Sequence, residues 1–176
     1  MTSYLNLQDW PTSGASSDPL LEKVTWPKIS IITPSYNQGQ YIEETILSVL
    51  NQNYPNLEFI IIDGGSADNT VDILSKYESK ISYWVSEPDR GQAHAINKGF
   101  EKASGDIFAY LNSDDCYYPN ALFTVAEAWK KQNPVDDFLF IGDCCWAKSF
   151  QDFEGVLDIP NFPADLKSAL MKGGLA

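Results

Sequence analysis

The run Leu57-Glu-Phe-Ile-Ile-Ile62 passes directly into Asp63-Gly-Gly-Ser66. A continuous β-branched and aromatic segment of this kind suits a strand covered on both faces. Such a strand belongs inside a sheet with layers on either side. The flanking sequence supplies those layers by alternating strand and helix patterns. Ile29-Ser-Ile-Ile32 reads as a first strand, and Ile42, Ile46, Val49 and Leu50 recur at helical spacing as one buried face. Pro55 closes that helical region, and Leu57–Ile62 is the second strand. Asp68-Asn-Thr-Val71 opens a second helix, with Asp68 or Ser66 as its N-cap. Ile81–Val85 is a third strand. A helix from about Gln92 to Ala103 precedes a fourth strand over Asp106–Leu111, and a further helix runs from Pro119 to Lys131 with Pro119 near its first turn. Phe138–Ile141 is a fifth strand. Beyond Cys145 the pattern weakens to a strand over Val156–Ile159 and a short helix over Leu166–Met171. This alternation predicts an α/β class, three layers deep, with a mostly parallel central sheet and right-handed crossovers.

Residues 1–27 read as an N-terminal arm. Pro11-Thr-Ser-Gly-Ala-Ser-Ser-Asp-Pro19 is turn-forming and poor in apolar groups, while Trp10 and Trp26 are placed to pin its ends. The first residues have neither a basic start nor an apolar run, so no signal peptide is expected, and no stretch is long enough to span a bilayer. Cys116, Cys144 and Cys145 have no zinc-type spacing with His94, the single histidine, and are read as reduced thiols of a cytoplasmic protein.

The 12 Lys and Arg against 24 Asp and Glu give a formal charge of -12. With no basic cluster to override it, that charge excludes nucleic acid and anionic lipid as partners. A phosphorylated ligand meets the same repulsion and needs a local cation or a set of backbone N–H donors.

Three polar loops follow predicted strands: Thr33-Pro34-Ser35-Tyr36-Asn37, Asp63-Gly64-Gly65-Ser66 and Asn112-Ser113-Asp114-Asp115. In a doubly wound sheet, ligands sit outside the carboxyl ends of the strands, so these loops are expected to converge on one site. Asp114 and Asp115 are adjacent carboxylates, and Mg²⁺ is commonly held by one or two carboxylates plus substrate phosphates. The same residues make good turn and N-cap chemistry, and alone the two readings stand level. Position after a strand favours the metal. Asp63 is suited to accept from a base N–H or a ribose hydroxyl, against a tight turn capping the next helix, which alone is the stronger reading. Arg90-Gly91 offers a guanidinium fork to a phosphate, against an ion pair of Arg90 with Asp89 or Glu87. Tyr36 is placed near a base, against ordinary packing. His94, Tyr117-Tyr118 and the tryptophans are better read as packing or surface groups than as catalytic or sugar-stacking ones. No Walker-type or GxGxxG element is present.

With these motifs in order, the chain resembles the family 2 glycosyltransferases, an inverting group with the GT-A (Rossmann-like) fold. The resemblance runs from about Lys28 to Trp129. It rests on Ile29–Asn37, Ser48-Val-Leu-Asn-Gln52, Glu58–Ser66 with Asp68-Asn-Thr70, Asp89-Arg-Gly-Gln92, Ala95-Ile-Asn-Lys-Gly99 and Asn112–Asp115. It implies that Thr33, Pro34, Ser35, Tyr36, Asn37 and Asp63 with Gly64 and Gly65 hold the nucleoside. It implies that Arg90, Gly91, Asn97, Asn112 and Ser113 line the donor pocket. Asp114 would lie near ribose or metal, and Asp115 would coordinate Mg²⁺ or Mn²⁺ against the diphosphate. Asn112 stands where the family often has Asp, and His94 where Asp is frequent. Family members continue into an acceptor-binding half that supplies the base.

The expected organisation is therefore an arm over 1–27, a nucleotide-sugar-binding domain over 28–145, and the start of a truncated or reduced acceptor region over 146–176. The expected activity is inverting, metal-dependent sugar transfer from a nucleotide donor, UDP-sugars favoured, to an acceptor hydroxyl in cell-wall or polysaccharide synthesis. That activity would be cytoplasmic, with the inner membrane face reached through partners, and a second copy of the chain is among the partners considered. The alternatives are a donor-binding module without turnover and a nucleotidyltransferase. The nucleotidyltransferase is disfavoured because Thr33–Gln40 has no basic residue.

Overall fold

Strands and helices alternate along the chain as β1 (Ile29–Ser35), α1 (Ile42–Leu50), β2 (Leu57–Asp63), α2 (Thr70–Tyr77), β3 (Tyr83–Ser86), α3 (Gln92–Lys102), β4 (Ile107–Tyr110) and α4 (Ala121–Lys130), with a 3-10 turn over Glu78–Lys80. The structure, a computed structural model, describes residues 25–131, all within the compact unit Trp10–Pro134. The predicted strands over 138–141 and 156–159, the helix over 166–171, Trp10, Cys144 and Cys145 lie outside the described residues.

The sheet order is β3-β2-β1-β4, and every pairing is parallel. β1 is buried along its whole length, and β2 is buried from Phe59 to Asp63. The period of two then sorts each strand onto two cores. Ile29, Ile31, Phe59 and Ile61 join Ile42, Ile46, Val49, Leu74, Leu122 and Ala126 from α1, α2 and α4 on one face. Ile32, Ile60 and Ile62 meet Ala95 of α3 on the other. Helices on both faces give the three-layer α/β/α arrangement, and each aliphatic side chain buried this way contributes about 1.5–3 kcal/mol.

β1 extends three residues beyond the predicted strand, through Thr33-Pro34-Ser35. Leu111 N–H donates to the Ile32 carbonyl, so the backbone of Ile32, and by alternation that of Pro34, faces β4. β4 pairs only as far as Tyr110 opposite Ile32. The missing N–H of Pro34 therefore falls where no ladder remains to receive it, and proline is tolerated in a central strand.

β3 and β4 are shorter than predicted, and β4 is not fully buried: Phe108 and Tyr110 are 52% and 55% exposed on one side while Ile107 is buried. α4 begins at Ala121, two residues after Pro119. Asn120 precedes it at φ 65°, a left-handed conformation that a helix interior excludes and asparagine tolerates. Trp26 packs edge-on against Tyr54 and Phe123, with ring centroids 6.0 and 5.2 Å away, and Lys130 Nζ lies 3.5 Å from its ring centroid. Trp26, just before β1, is thereby tied to α4.

Candidate functional site

The chain builds β1, β2 and β3 to one side and then places β4 on the other side of β1. Strand order reverses between β1 and β4, the point at which open α/β sheets bind ligands. A cleft of about 750 Å³ lies there, lined from the ends of all four strands. β1 and its loop contribute Pro34, Ser35, Tyr36 and Gln38; the β2 loop gives Gly64 and Gly65. The β3 loop and the start of α3 give Pro88, Asp89, Gly91, Gln92 and Ala95; the β4 loop gives Asn112, Ser113 and Asp114.

The loop after β2 is organised by Asp63, which is fully buried. Its Oδ2 accepts from the backbone N–H of Gly65 at 3.2 Å and of Ser66 at 2.8 Å, and from the Ser86 hydroxyl at 2.6 Å. Its Oδ1 accepts from the Ser66 hydroxyl. A buried carboxylate needs such donors, and here the β2 loop supplies three of them and Ser86 of β3 the fourth. Asp63 thus shapes the floor of the cleft without lining it.

The loops after β1 and β2 are also locked to each other. Asn37 N–H donates to Ser66 Oγ at 2.7 Å, and Asn37 Oδ1 accepts from Ala67 N–H at 2.8 Å. Asp68 Oδ2 accepts from Gly39 N–H at 2.9 Å, while its Oδ1 accepts from Thr70 N–H at 3.0 Å at the start of α2. Asp68 therefore serves the helix start, as read from the sequence, and reaches across to the β1 loop as well. Thr33, fully buried in β1, and Asn37 do not line the cleft.

The buried hydroxyls of Thr33 and Ser35 are both unpartnered among the described residues, and of the two only Ser35 lines the cleft. Ser35 is 5% exposed, and Gln38 Oε1 is unpartnered as well. Buried polar atoms are normally satisfied, so unsatisfied ones in a cleft wall suit a polar ligand.

On the β3 side, Asp89 Oδ1 accepts from Gly91 N–H at 2.7 Å, and Gly91 sits at φ 104°, a conformation that favours glycine. Arg90 is exposed, and it makes no ion pair among the described residues; Glu87 pairs instead with Lys98. The Arg90 backbone N–H donates to His94 Nδ1 at 3.3 Å, which gives that histidine a local structural partner. Asn97 is exposed on α3, and neither it nor Arg90 lines the cleft. Gln38, Pro88, Asp89, Gln92 and Ala95 line the cleft but were absent from the sequence-derived set. The signal available for them was the Asp89-x-Gly91 turn immediately before a helix.

The β4 loop carries the two carboxylates, both exposed. Asp115 N–H closes a turn on the Asn112 carbonyl at 3.1 Å. Asn112 Nδ2 donates to Asp115 Oδ2 at 2.9 Å, and Gln92 Nε2 donates to Asn112 Oδ1 at 2.7 Å. Among the described residues no cluster of three or more His, Cys, Asp or Glu could hold a metal alone. Two carboxylates with open coordination fit a hard cation that completes its shell with phosphate oxygens and water. Beyond this loop Cys116 is a free, half-buried cysteine, and burial pushes its thiol up to about 11, which makes it a poor nucleophile. Burial likewise pushes the Tyr117 phenol up to about 12, while Tyr118 is exposed. Among the described residues no helix is long and apolar enough to cross a membrane.

A doubly wound sheet with a polar cleft at its switch point, Asp114 in the cleft lining and Asp115 next to it in the chain, defines a ligand-binding α/β domain. The model of glycosyl transferase family 2 matches residues 30–160. The chain belongs to that family, and its sheet and flanking helices form the GT-A fold. It is 48% identical over 130 residues to TuaG of Bacillus subtilis (strain 168), a glycosyltransferase ascribed to teichuronic acid biosynthesis, covering 72% of this chain and 47% of TuaG. It is 39% identical over 118 residues to an uncharacterised glycosyltransferase of Mycobacterium tuberculosis, covering 66% and 45%. Among solved structures, S. aureus TarS 1-349 in complex with UDP-GlcNAc matches with a TM-score of 0.55 and 28% identity, over 59% of this chain and 31% of that one. The mannosyltransferase PcManGT from Pyrobaculum calidifontis, in complex with GDP-Man and Mn²⁺, matches with a TM-score of 0.52 and 28% identity, over 63% and 36%. The chain spans less than half the length of these curated relatives.

Proposed function

We propose that this chain is the donor-binding portion of an inverting, metal-dependent glycosyltransferase, with a nucleoside diphosphate sugar in the cleft between the β1, β2, β3 and β4 loops. The observation that carries the reading is the meeting of four strand-end loops around the buried, unpartnered Ser35 hydroxyl, with Asp114 on the same cleft wall. Pro34, Ser35, Tyr36, Gly64 and Gly65 would form the nucleoside wall. Thr33, Asn37 and Asp63 would support it from behind. Gly91, Asn112, Ser113 and Asp114 would line the diphosphate and sugar side, with Arg90 and Asn97 at its margin.

The carboxylates explain how so acidic a chain accepts a diphosphate. Asp115, with Asp114, would hold Mg²⁺ or Mn²⁺, which supplies Lewis-acid stabilisation to the departing nucleoside diphosphate. The Asn112 amide holds Asp115 Oδ2 and leaves Oδ1 for the cation. In the transfer, the acceptor oxygen bonds to the anomeric carbon as the bond to the diphosphate breaks on the opposite face. The hydroxyl proton passes to a carboxylate base, which we do not assign among the described residues. Support for a metal comes from the Mn²⁺ in the mannosyltransferase neighbour, and support for a uridine donor from the UDP-GlcNAc in the TarS neighbour. The teichuronic acid association of TuaG supports a cell-wall or polysaccharide acceptor. The reaction would take place in the cytoplasm, with the inner membrane face reached through partners.

The test is a thermal-shift screen of the chain with UDP, GDP, CDP and TDP, each with Mn²⁺ and with chelator. A ligand of the native state raises the melting temperature, and the expected pattern is a rise with UDP and Mn²⁺. No rise with any of the four contradicts the reading. Donor hydrolysis and transfer assays on the chain and on a longer parent separate an enzyme from a binding module without turnover.

A further inference from the structure

The end of α1 and the turn that follows it present three polar side chains, Thr45, Ser48 and Gln52, to the protein interior. Thr45 is fully buried, Gln52 is 2% exposed and Ser48 is 4% exposed. Buried polar groups cost free energy unless partnered. Two of these side chains find backbone partners in the segment that leaves Asp115. Ser48 Oγ donates to the Thr45 carbonyl at 2.8 Å and accepts from Tyr117 N–H at 3.2 Å. Gln52 Nε2 donates to the Tyr118 carbonyl at 2.8 Å and to the Ser48 carbonyl at 3.0 Å. An apolar helix face would pack here without fixing the register of an irregular segment. Directional hydrogen bonds to consecutive residues do fix it.

We infer that Ser48 and Gln52 are positioning residues for the metal-binding carboxylate, clamping residues 117 and 118 so that Asp115 is presented at the cleft rim at a set height and angle. The clamp acts from the α1 side, while Gln92 and Asn112 hold the loop from the α3 side. Asp115 thus stands between two anchors on different helices. Outer contacts of this kind orient a metal ligand without touching the metal. The inference rests on the donor-binding reading above.

The experiment measures UDP affinity by calorimetry, in chelator and in Mn²⁺, for the full chain and for Ser48→Ala, Gln52→Leu and Ile81→Ala. Ile81 is a buried core residue at the start of the third βα unit, so its truncation lowers stability without touching the clamp. In Ser48→Ala and Gln52→Leu, the Mn²⁺-dependent gain in affinity is expected to fall about ten-fold, the scale of lost outer-shell contacts, while affinity in chelator stays within about two-fold. Ile81→Ala is expected to melt earlier and keep the full Mn²⁺ gain. The inference is overturned if both folded clamp variants keep the gain, if affinity in chelator falls as much as affinity in Mn²⁺, or if Ile81→Ala loses the gain equally. Should Gln52→Leu fail to fold, the milder Ser48→Ala decides. A wild-type chain that binds UDP with no Mn²⁺ gain refutes the metal role of Asp115 as well, a result distinct from loss of the clamp alone.

Discussion

Asn112 Nδ2 donates to Asp115 Oδ2 at 2.9 Å, and its own carbonyl oxygen is held by Gln92 Nε2 at 2.7 Å. The contact fixes which way the amide faces, because only the nitrogen can donate to a carboxylate. An aspartate at 112 would instead set a second negative charge against Asp115. Asn112→Ala is therefore expected to release Asp115 and reduce the Mn²⁺-dependent gain in UDP affinity by about ten-fold, with little change in melting temperature. Calorimetry in Mn²⁺ and in chelator checks it, and an unchanged gain contradicts the role given to Asn112.

Gly64 tests the cleft itself. A Cβ placed there would lie 3.1 to 3.3 Å from the Asp89 carboxylate, closer than ordinary contact. Gly64→Ala is expected to push Asp89 into the cleft and weaken UDP binding about ten-fold, or about 1.4 kcal/mol. The stability change should be confined to the Asp89–Gly91 hydrogen bond, because the crowded atoms are the far end of a cleft-lining side chain. Loss of stability with unchanged affinity would place the nucleotide elsewhere.

Asp63 carries the opposite expectation. Its two oxygens accept four hydrogen bonds inside the protein. Asp63→Asn turns an NH₂ group towards donors and leaves at least one buried group unsatisfied, a cost of about 1–3 kcal/mol per group. Denaturant unfolding should show that loss, with UDP affinity falling alongside it as the β2 loop loosens. A variant with full stability and abolished binding would instead make Asp63 a direct ligand contact.

Acid stability should depend on Glu58. Burial alone would raise its carboxyl, but hydrogen bonds from Lys28, Ser30 and Ser104 more than offset that and hold it at about 2, against an ordinary 4.5. A carboxyl lowered on folding stabilises the fold above its unfolded value, and that contribution disappears as pH falls through the folded one. Melting temperature should therefore decline between about pH 4.5 and pH 2, and Glu58→Gln should be less stable at pH 7 with a shallower decline over that window. A decline of equal slope in the variant contradicts the assignment.

The fold was legible in the sequence where burial is symmetric. β2 is apolar on both faces, so its run of β-branched residues reads as a strand without ambiguity, and the alternation around it predicts the parallel sheet. Pro34 hid the end of β1, because proline reads as a break, and only the early end of β4 makes it harmless. The positions of the strand-end loops were legible for the same reason as the strands. The division of labour within them was not. Asp63 and Asn37 offer the same chemistry to a ligand or to the backbone, and the structure commits their side chains to the loops. Arg90 drew attention by its charge, yet its neighbours Asp89 and Gly91 face the cleft. Ser48 and Gln52 look like interruptions of a helix face until their partners, distant in sequence, are in view.

In the proposed function, Asp115 helps bind a donor diphosphate through a divalent cation. The most direct measurement is the melting temperature of the chain and of Asp115→Ala, each with UDP in Mn²⁺ and in chelator. The expected result is a rise with UDP and Mn²⁺ that largely vanishes in chelator and in Asp115→Ala. An equal rise in the variant, or a rise indifferent to Mn²⁺, would contradict it.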